Sequence, residues 1–128
     1  RRREGRFRVS GWIGVNLDGT LAEYHGFDES GVIGEPIDSM VDRVRGWLES
    51  GWEVRIFTAR IYSDGSPRGN SEAKEALRAI GIWSQFTFGR KLPVTNVKDY
   101  GMVELWDDRA VQVEKNTGKP LSPGTRGL

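Results

Sequence analysis

The chain has 128 residues, 19 basic against 18 acidic, with one histidine and no cysteine. That length suits one domain, which buries about two-thirds of its unfolded surface and needs no staples. Disulfide frameworks, thiolate metal sites and cysteine nucleophiles are excluded, and a lone His25 excludes a multi-histidine centre. No apolar run approaches the roughly 20 residues of a membrane span, and the start does not read as a signal peptide. The expected setting is a soluble protein of a reducing, cytoplasmic compartment with no membrane partner. The chain opens on Arg1 rather than Met, so it is expected to be a fragment or trimmed product.

Residues 1–10 form a basic N-terminal arm, five Arg against Glu4, on a mildly acidic body. The arm reads as a solvated terminus, with contact to phosphates or nucleic acid as the alternative. Residues 11–17 are mostly apolar and close on Asp18-Gly19, which predicts a buried strand ending in a turn. Residues 22–36, rich in Gly, acidic and aromatic residues, predict an exposed excursion. From Pro36, Ile37, Met40, Val41, Val44, Trp47 and Leu48 recur at helical spacing, with Gly51 as the stop.

Residues 52–57 predict a second strand, followed by a loop over Ser63–Gly69. A second helix is expected from Asn70 or Ser71 to Gly81, with Ala73, Ala76, Leu77 and Ile80 inward. Ile82–Phe88 is ambiguous, with a further helical turn packing Trp83 and Phe86 as one reading. Short strands are expected at Val94–Val97 and Met102–Trp106. Val111–Val113 reads as a last strand or a helix start, and residues 116–128 as a tail. This alternation predicts an α/β domain over 11–115 with a three-layer, Rossmann-like parallel sheet. In such sheets ligands bind at the carboxyl ends of the strands. That rule gathers Asp18, Gly19, Thr20, Thr58, Ala59, Arg60, Asp107 and Asp108 on one rim, with Lys98 nearby.

Clustered carboxylates repel unless a cation sits between them, and without His or Cys that cation is a hard one such as Mg²⁺. A Lys and a Thr hydroxyl beside it suit a bound phosphate, and the Asp18-Gly19 turn can add backbone N–H groups. Composition and position thus suggest a Mg²⁺-dependent phosphoryl site.

Val15-Asn16-Leu17-Asp18-Gly19-Thr20-Leu21 resembles the first motif of the haloacid dehalogenase superfamily, a strand followed by Asp-x-Asp-Gly-Thr-Leu. Phe57-Thr58 is similar to its second motif, Lys98 to its third, and Leu105-Trp106-Asp107-Asp108 to its fourth. Lys91 is the rival for the third. The ordered set is far more specific than any one member. The resemblance implies a haloacid-dehalogenase-like phosphomonoester hydrolase working through an aspartyl-phosphate. Position 16 would be the nucleophile and Asp18 the general acid, then base. Thr58 and Lys98 would hold the phosphoryl oxygens, with Gly19, Thr20, Ala59 and Arg60 lining the substrate. Mg²⁺ would bind Asn16, the Asp18 carbonyl and Asp107, with Asp108 as a further ligand.

The departure is at position 16, where Asn replaces the nucleophilic Asp. The chain is therefore expected to be inactive. An engineered Asp-to-Asn replacement, a natural phosphate-binding pseudo-enzyme and chemistry that bypasses the nucleophile compete, and the otherwise intact site favours the first. Only 37 residues separate Thr20 from Thr58, which leaves no room for a cap domain. Residues 22–35 would be a short flap over an open site, with Tyr24, His25 and Phe27 packing it down or stacking on a base or sugar. Arg60 is read as a contact to a second anion or as a salt bridge. Arg109 is expected to pair with a nearby carboxylate. The five Trp read as packing. The expected substrate is a nucleotide or other small phosphorylated molecule. The alternative is a nucleic-acid end, because Asp107–Val113 is similar to the end of the phosphatase domain of polynucleotide kinase–phosphatases.

Overall fold

The computed structural model describes residues 10–123, so the basic arm lies almost wholly outside the described residues. Four strands form one parallel sheet: β1 (Trp12–Asn16), β2 (Glu53–Phe57), β3 (Val94–Thr95) and β4 (Met102–Trp106), in the order β3-β2-β1-β4. Two helices, α1 (Asp38–Glu49) and α2 (Pro67–Phe88), make the α/β, Rossmann-like crossovers, and the described residues include no cap domain. Among the described residues no helix is long and apolar enough to cross a membrane.

Strand periodicity decides which side chains meet the helices. Ile13 and Val15 of β1, with Val54 and Ile56 of β2, form one core cluster with Met40, Val41 and Val44 of α1 and Ile80 of α2. Trp12, two per cent exposed, lies on the opposite face. The third layer there is thin. It consists of the crossover 96–101 folded over Trp12, whose indole N–H donates to Asp99 at 2.8 Å, and of Arg55, 4.4 Å above the same ring.

α1 begins two residues after Pro36. The Ile37 N–H is spent on the Leu21 carbonyl (2.8 Å) and Pro36 bridges to Ala22, which holds the chain extended until Asp38. α2 differs more from expectation: it starts at Pro67 and runs through Gly81 to Phe88. Ser66 is the cap, its hydroxyl accepting from the Gly69 N–H at 2.9 Å, and Pro67 fills the first turn. The extension past Gly81 is held by tertiary packing. Ser84, fully buried, donates to the Arg90 carbonyl and accepts from the Leu92 N–H, while Trp83 packs at the core edge. Gly89, at φ +78°, ends the helix. Phe86, expected to pack, is 92% exposed.

β3 stops at Thr95, two residues short of the expected Val97. Val113 makes a single antiparallel bridge to Pro120, so 116–120 turns back on the segment before it. Segment 22–35 has no regular structure. Its base is closed by the Glu23 N–H donating to the Glu35 carbonyl, and Trp83 Nε1 donates to Gly34 O. Tyr24, His25 and Phe27 do not pack onto the body: all three are exposed, Phe27 by 85%. The flap has too few apolar neighbours to bury them.

Candidate functional site

The carboxyl ends of β1, β2 and β4 meet on one rim because all three run parallel. Just beyond β1 the chain turns tightly, with Leu21 N donating to Asn16 O and Ala22 N to Leu17 O. Gly19 sits in this turn at φ +92°. A Cβ there would lie 2.5 Å from an Asp108 carboxylate oxygen, so only glycine admits Asp108 this close.

The centre of the rim is Asn16. Its amide nitrogen donates to the Asp18 backbone carbonyl (2.6 Å) and to Asp108 Oδ1 (3.0 Å). Thr20 braces Asp108 twice, donating its hydroxyl to Oδ1 (2.9 Å) and accepting from the Asp108 N–H (3.0 Å). Residues 92 apart in sequence thus share one hydrogen-bonded cluster. Asp107 does not join it by hydrogen bond: its Oδ1 accepts from the Arg109 N–H at 2.9 Å and closes its own turn. The likeness of the two neighbouring carboxylates in sequence hid which one bonds to Asn16 and Thr20.

Thr58, one per cent exposed, follows β2 directly and caps a short 3-10 turn (Ala59–Ile61), its hydroxyl accepting from the Arg60 N–H at 3.1 Å. Ala59 is exposed on that turn. Arg60 forks onto Asp18, Nε to Oδ2 at 2.7 Å and Nη2 to Oδ1 at 2.9 Å, both side chains about one-fifth exposed. These bonds push the guanidinium proton affinity above its ordinary range, against the desolvation of its partial burial.

Two expectations differ. Lys98 makes no hydrogen bond or ion pair with the cluster. It is exposed, makes no polar contact among the described residues, and precedes Asp99, which is tied to Trp12 at the amino end of β1. Crossover 96–101 must carry the chain from the end of β3 to the start of β4, and it takes Lys98 along. The rival Lys91 lies against Gly81 of α2. Arg109 forms no side-chain ion pair among the described residues; only its N–H meets Asp107. Sequence reasoning left Arg60 open between a salt bridge and an anion contact, and the structure records a two-pronged bond to Asp18. A groove of about 630 Å³ on the helical side, lined by Val41, Arg45, Trp83 and Phe86 among others, includes none of the rim residues.

Among the described residues no three His, Asp or Glu side chains gather as a metal cage. Two oxygens, Asp18 O and Asp108 Oδ1, nevertheless face one point, which the Asn16 amide nitrogen fills. An acid at 16 would bring a third oxygen to that point, leaving Asp18 O without its donor and Asp108 Oδ1 with the Thr20 hydroxyl alone. Such a set fits Mg²⁺, which takes one or two carboxylates and keeps several waters.

No family model matches the chain, and no curated protein does. Among solved structures, a conserved protein from Bacteroides thetaiotaomicron is similar, with a TM-score of 0.53 and 18% identity, covering 80% of this chain and 79% of that one. A likeness at that identity concerns the fold alone.

Proposed function

We propose that the rim is a Mg²⁺-dependent phosphomonoester hydrolase site of the haloacid dehalogenase type, acting on a nucleotide or other small phosphorylated molecule and silenced in this chain by Asn16. The observation that carries the reading is the cluster in which the Asn16 amide joins the Asp18 carbonyl and the Asp108 carboxylate. With Asp at 16, its carboxylate attacks phosphorus and forms an aspartyl-phosphate, while the ester oxygen leaves with a proton from Asp18. Asp18 then takes a proton from water, which cleaves the acyl phosphate and releases phosphate. Thr58 offers its hydroxyl proton to a phosphoryl oxygen. The side chain at 16, Asp18 O and Asp108 would hold Mg²⁺, which supplies charge screening between the attacking carboxylate and the phosphoryl group. Lys98 has no role in this version, and Arg60 supplies the cationic charge.

The experiment is Asn16→Asp. The chain as given is expected to be silent toward p-nitrophenyl phosphate, and the Asn16→Asp chain to hydrolyse it only with Mg²⁺. Failure of the restored chain on that ester and on a panel of nucleotides defeats the enzyme reading. The hydrogen bonds of Asn16 carry a second reading, a phosphate binder without turnover. Mg²⁺-dependent phosphate binding by both chains, with hydrolysis by neither, selects it.

A further inference from the structure

We propose that Arg60 is a positioning residue that latches the flap tip, residues 24–32, to the Asp18 carboxylate. A guanidinium carries five N–H donors in a rigid fork. Two take the oxygens of Asp18, at 2.7 and 2.9 Å. Nη1 donates to the Gly31 carbonyl at 2.9 Å, and Nη2 reaches the Val32 carbonyl at 3.4 Å. One side chain therefore joins the loop after β1, the turn after β2 and the flap tip. Its own position is fixed from behind, where its N–H meets buried Thr58.

Among the described residues, no other polar contact ties the tip to the body. The hydrogen bonds within 24–32 are local, Ser30 N and Gly31 N to Asp28 and Val32 N to Ser30. Phe27 and Val32 are 85% and 69% exposed, and Gly26 and Gly31 take positive φ. Glu23, Gly34 and Trp83 fasten the base of the flap, not its tip. In this state both Asp18 oxygens are engaged, so neither is placed to give a proton to a leaving group. An incoming phosphate dianion carries more charge than the Asp18 carboxylate and accepts the same fork, so it competes with Asp18 as well as with the two backbone carbonyls. Binding there draws Arg60 off Asp18 and frees acid and tip together. That last step rests on the phosphoryl reading of the rim; the latch does not.

Hydrogen exchange of peptides spanning 24–34, measured on the whole chain, tests it. Arg60→Gln and Asp18→Asn are each expected to speed exchange of the tip about tenfold or more while α1 and α2 keep their protection. The double variant is expected to be no faster than Arg60→Gln alone, because that variant already removes every bond of the latch. Arg60→Lys, which keeps charge and loses the fork, is expected to fall between. Tip exchange within twofold of the starting chain in both single variants overturns the latch, as does additive loosening in the double variant. Inorganic phosphate with Mg²⁺ is the second arm, its binding followed by phosphorus resonance broadening. Bound phosphate that speeds tip exchange in the starting chain, and has no effect in Arg60→Gln, supports the exchange of partners. Bound phosphate that leaves the tip protected overturns it. No binding, with a loosened Arg60→Gln tip, upholds the latch and defeats the phosphoryl reading instead.

Discussion

Gly19 shows how one missing methyl shapes the rim. Its φ of +92° lies where side chains are strained, and Asp108 occupies the space a Cβ would need. Gly19→Ala is therefore expected to cost about 1–3 kcal/mol from backbone strain alone, with the clash at Asp108 adding to it. Urea unfolding measures this, and a variant as stable as the parent would refute the close approach. That Asp18, Gly19 and Thr20 share the turn after β1 was legible from their order alone. The choice of Asp108 over Asp107 was not, because it depends on a hydroxyl at Thr20, 88 residues away in sequence.

Local pattern and tertiary packing diverge most in α2. The spacing of Met40, Val41 and Val44 marks α1 well, and Met102–Trp106 is a strand over the expected span. In α2, Gly81 reads as a stop, yet the helix continues because Ile80, Trp83 and Ser84 find partners in the core and in the chain after Gly89. Its start was hidden by Ser66-Pro67, a cap and first-turn pair set within a run that reads as loop by composition. A glycine inside a helix costs about 1 kcal/mol relative to alanine. A Cβ at Gly81 would meet only the flexible Lys91 stem, at 3.6 Å. Gly81→Ala is thus expected to raise stability by about 0.5–1 kcal/mol, read as a higher urea midpoint at unchanged slope.

Across the molecule, the two sheet faces are held by different means. The helical face buries a continuous apolar cluster, whereas the other face relies on Trp12, Arg55 and Asp99. The Trp12 indole N–H, then the Gly101 N–H, holds the Asp99 carboxyl below its usual value of 3.8, with Arg55 assisting. A depressed carboxyl pKa stabilises the fold above the unfolded value, and that contribution is lost as pH falls through the folded value. The contribution is therefore present at neutral pH and disappears below about pH 4. Melting temperatures between pH 6 and pH 3 should fall less for Asp99→Asn than for the parent. Equal slopes would show that this contact carries no proton linkage. Sequence periodicity exposed the apolar face readily; it gave no sign of a polar tether joining residues 87 apart.

The strand order also fixes when during synthesis the rim comes into being. β1, β2 and the two helices supply most of the buried cluster, the segments holding Leu17, Leu21, Ala22 and Leu92 supply the rest, and all of it precedes residue 96. Asp108 arrives just after β4, the last of the four strands to emerge, which docks on the free edge of β1. A nascent chain can collapse around its core well before the two halves of the rim meet. Until β4 docks, the Asn16 side chain lacks its Asp108 partner at an open edge of the sheet, and the site is among the last parts of the protein to exist.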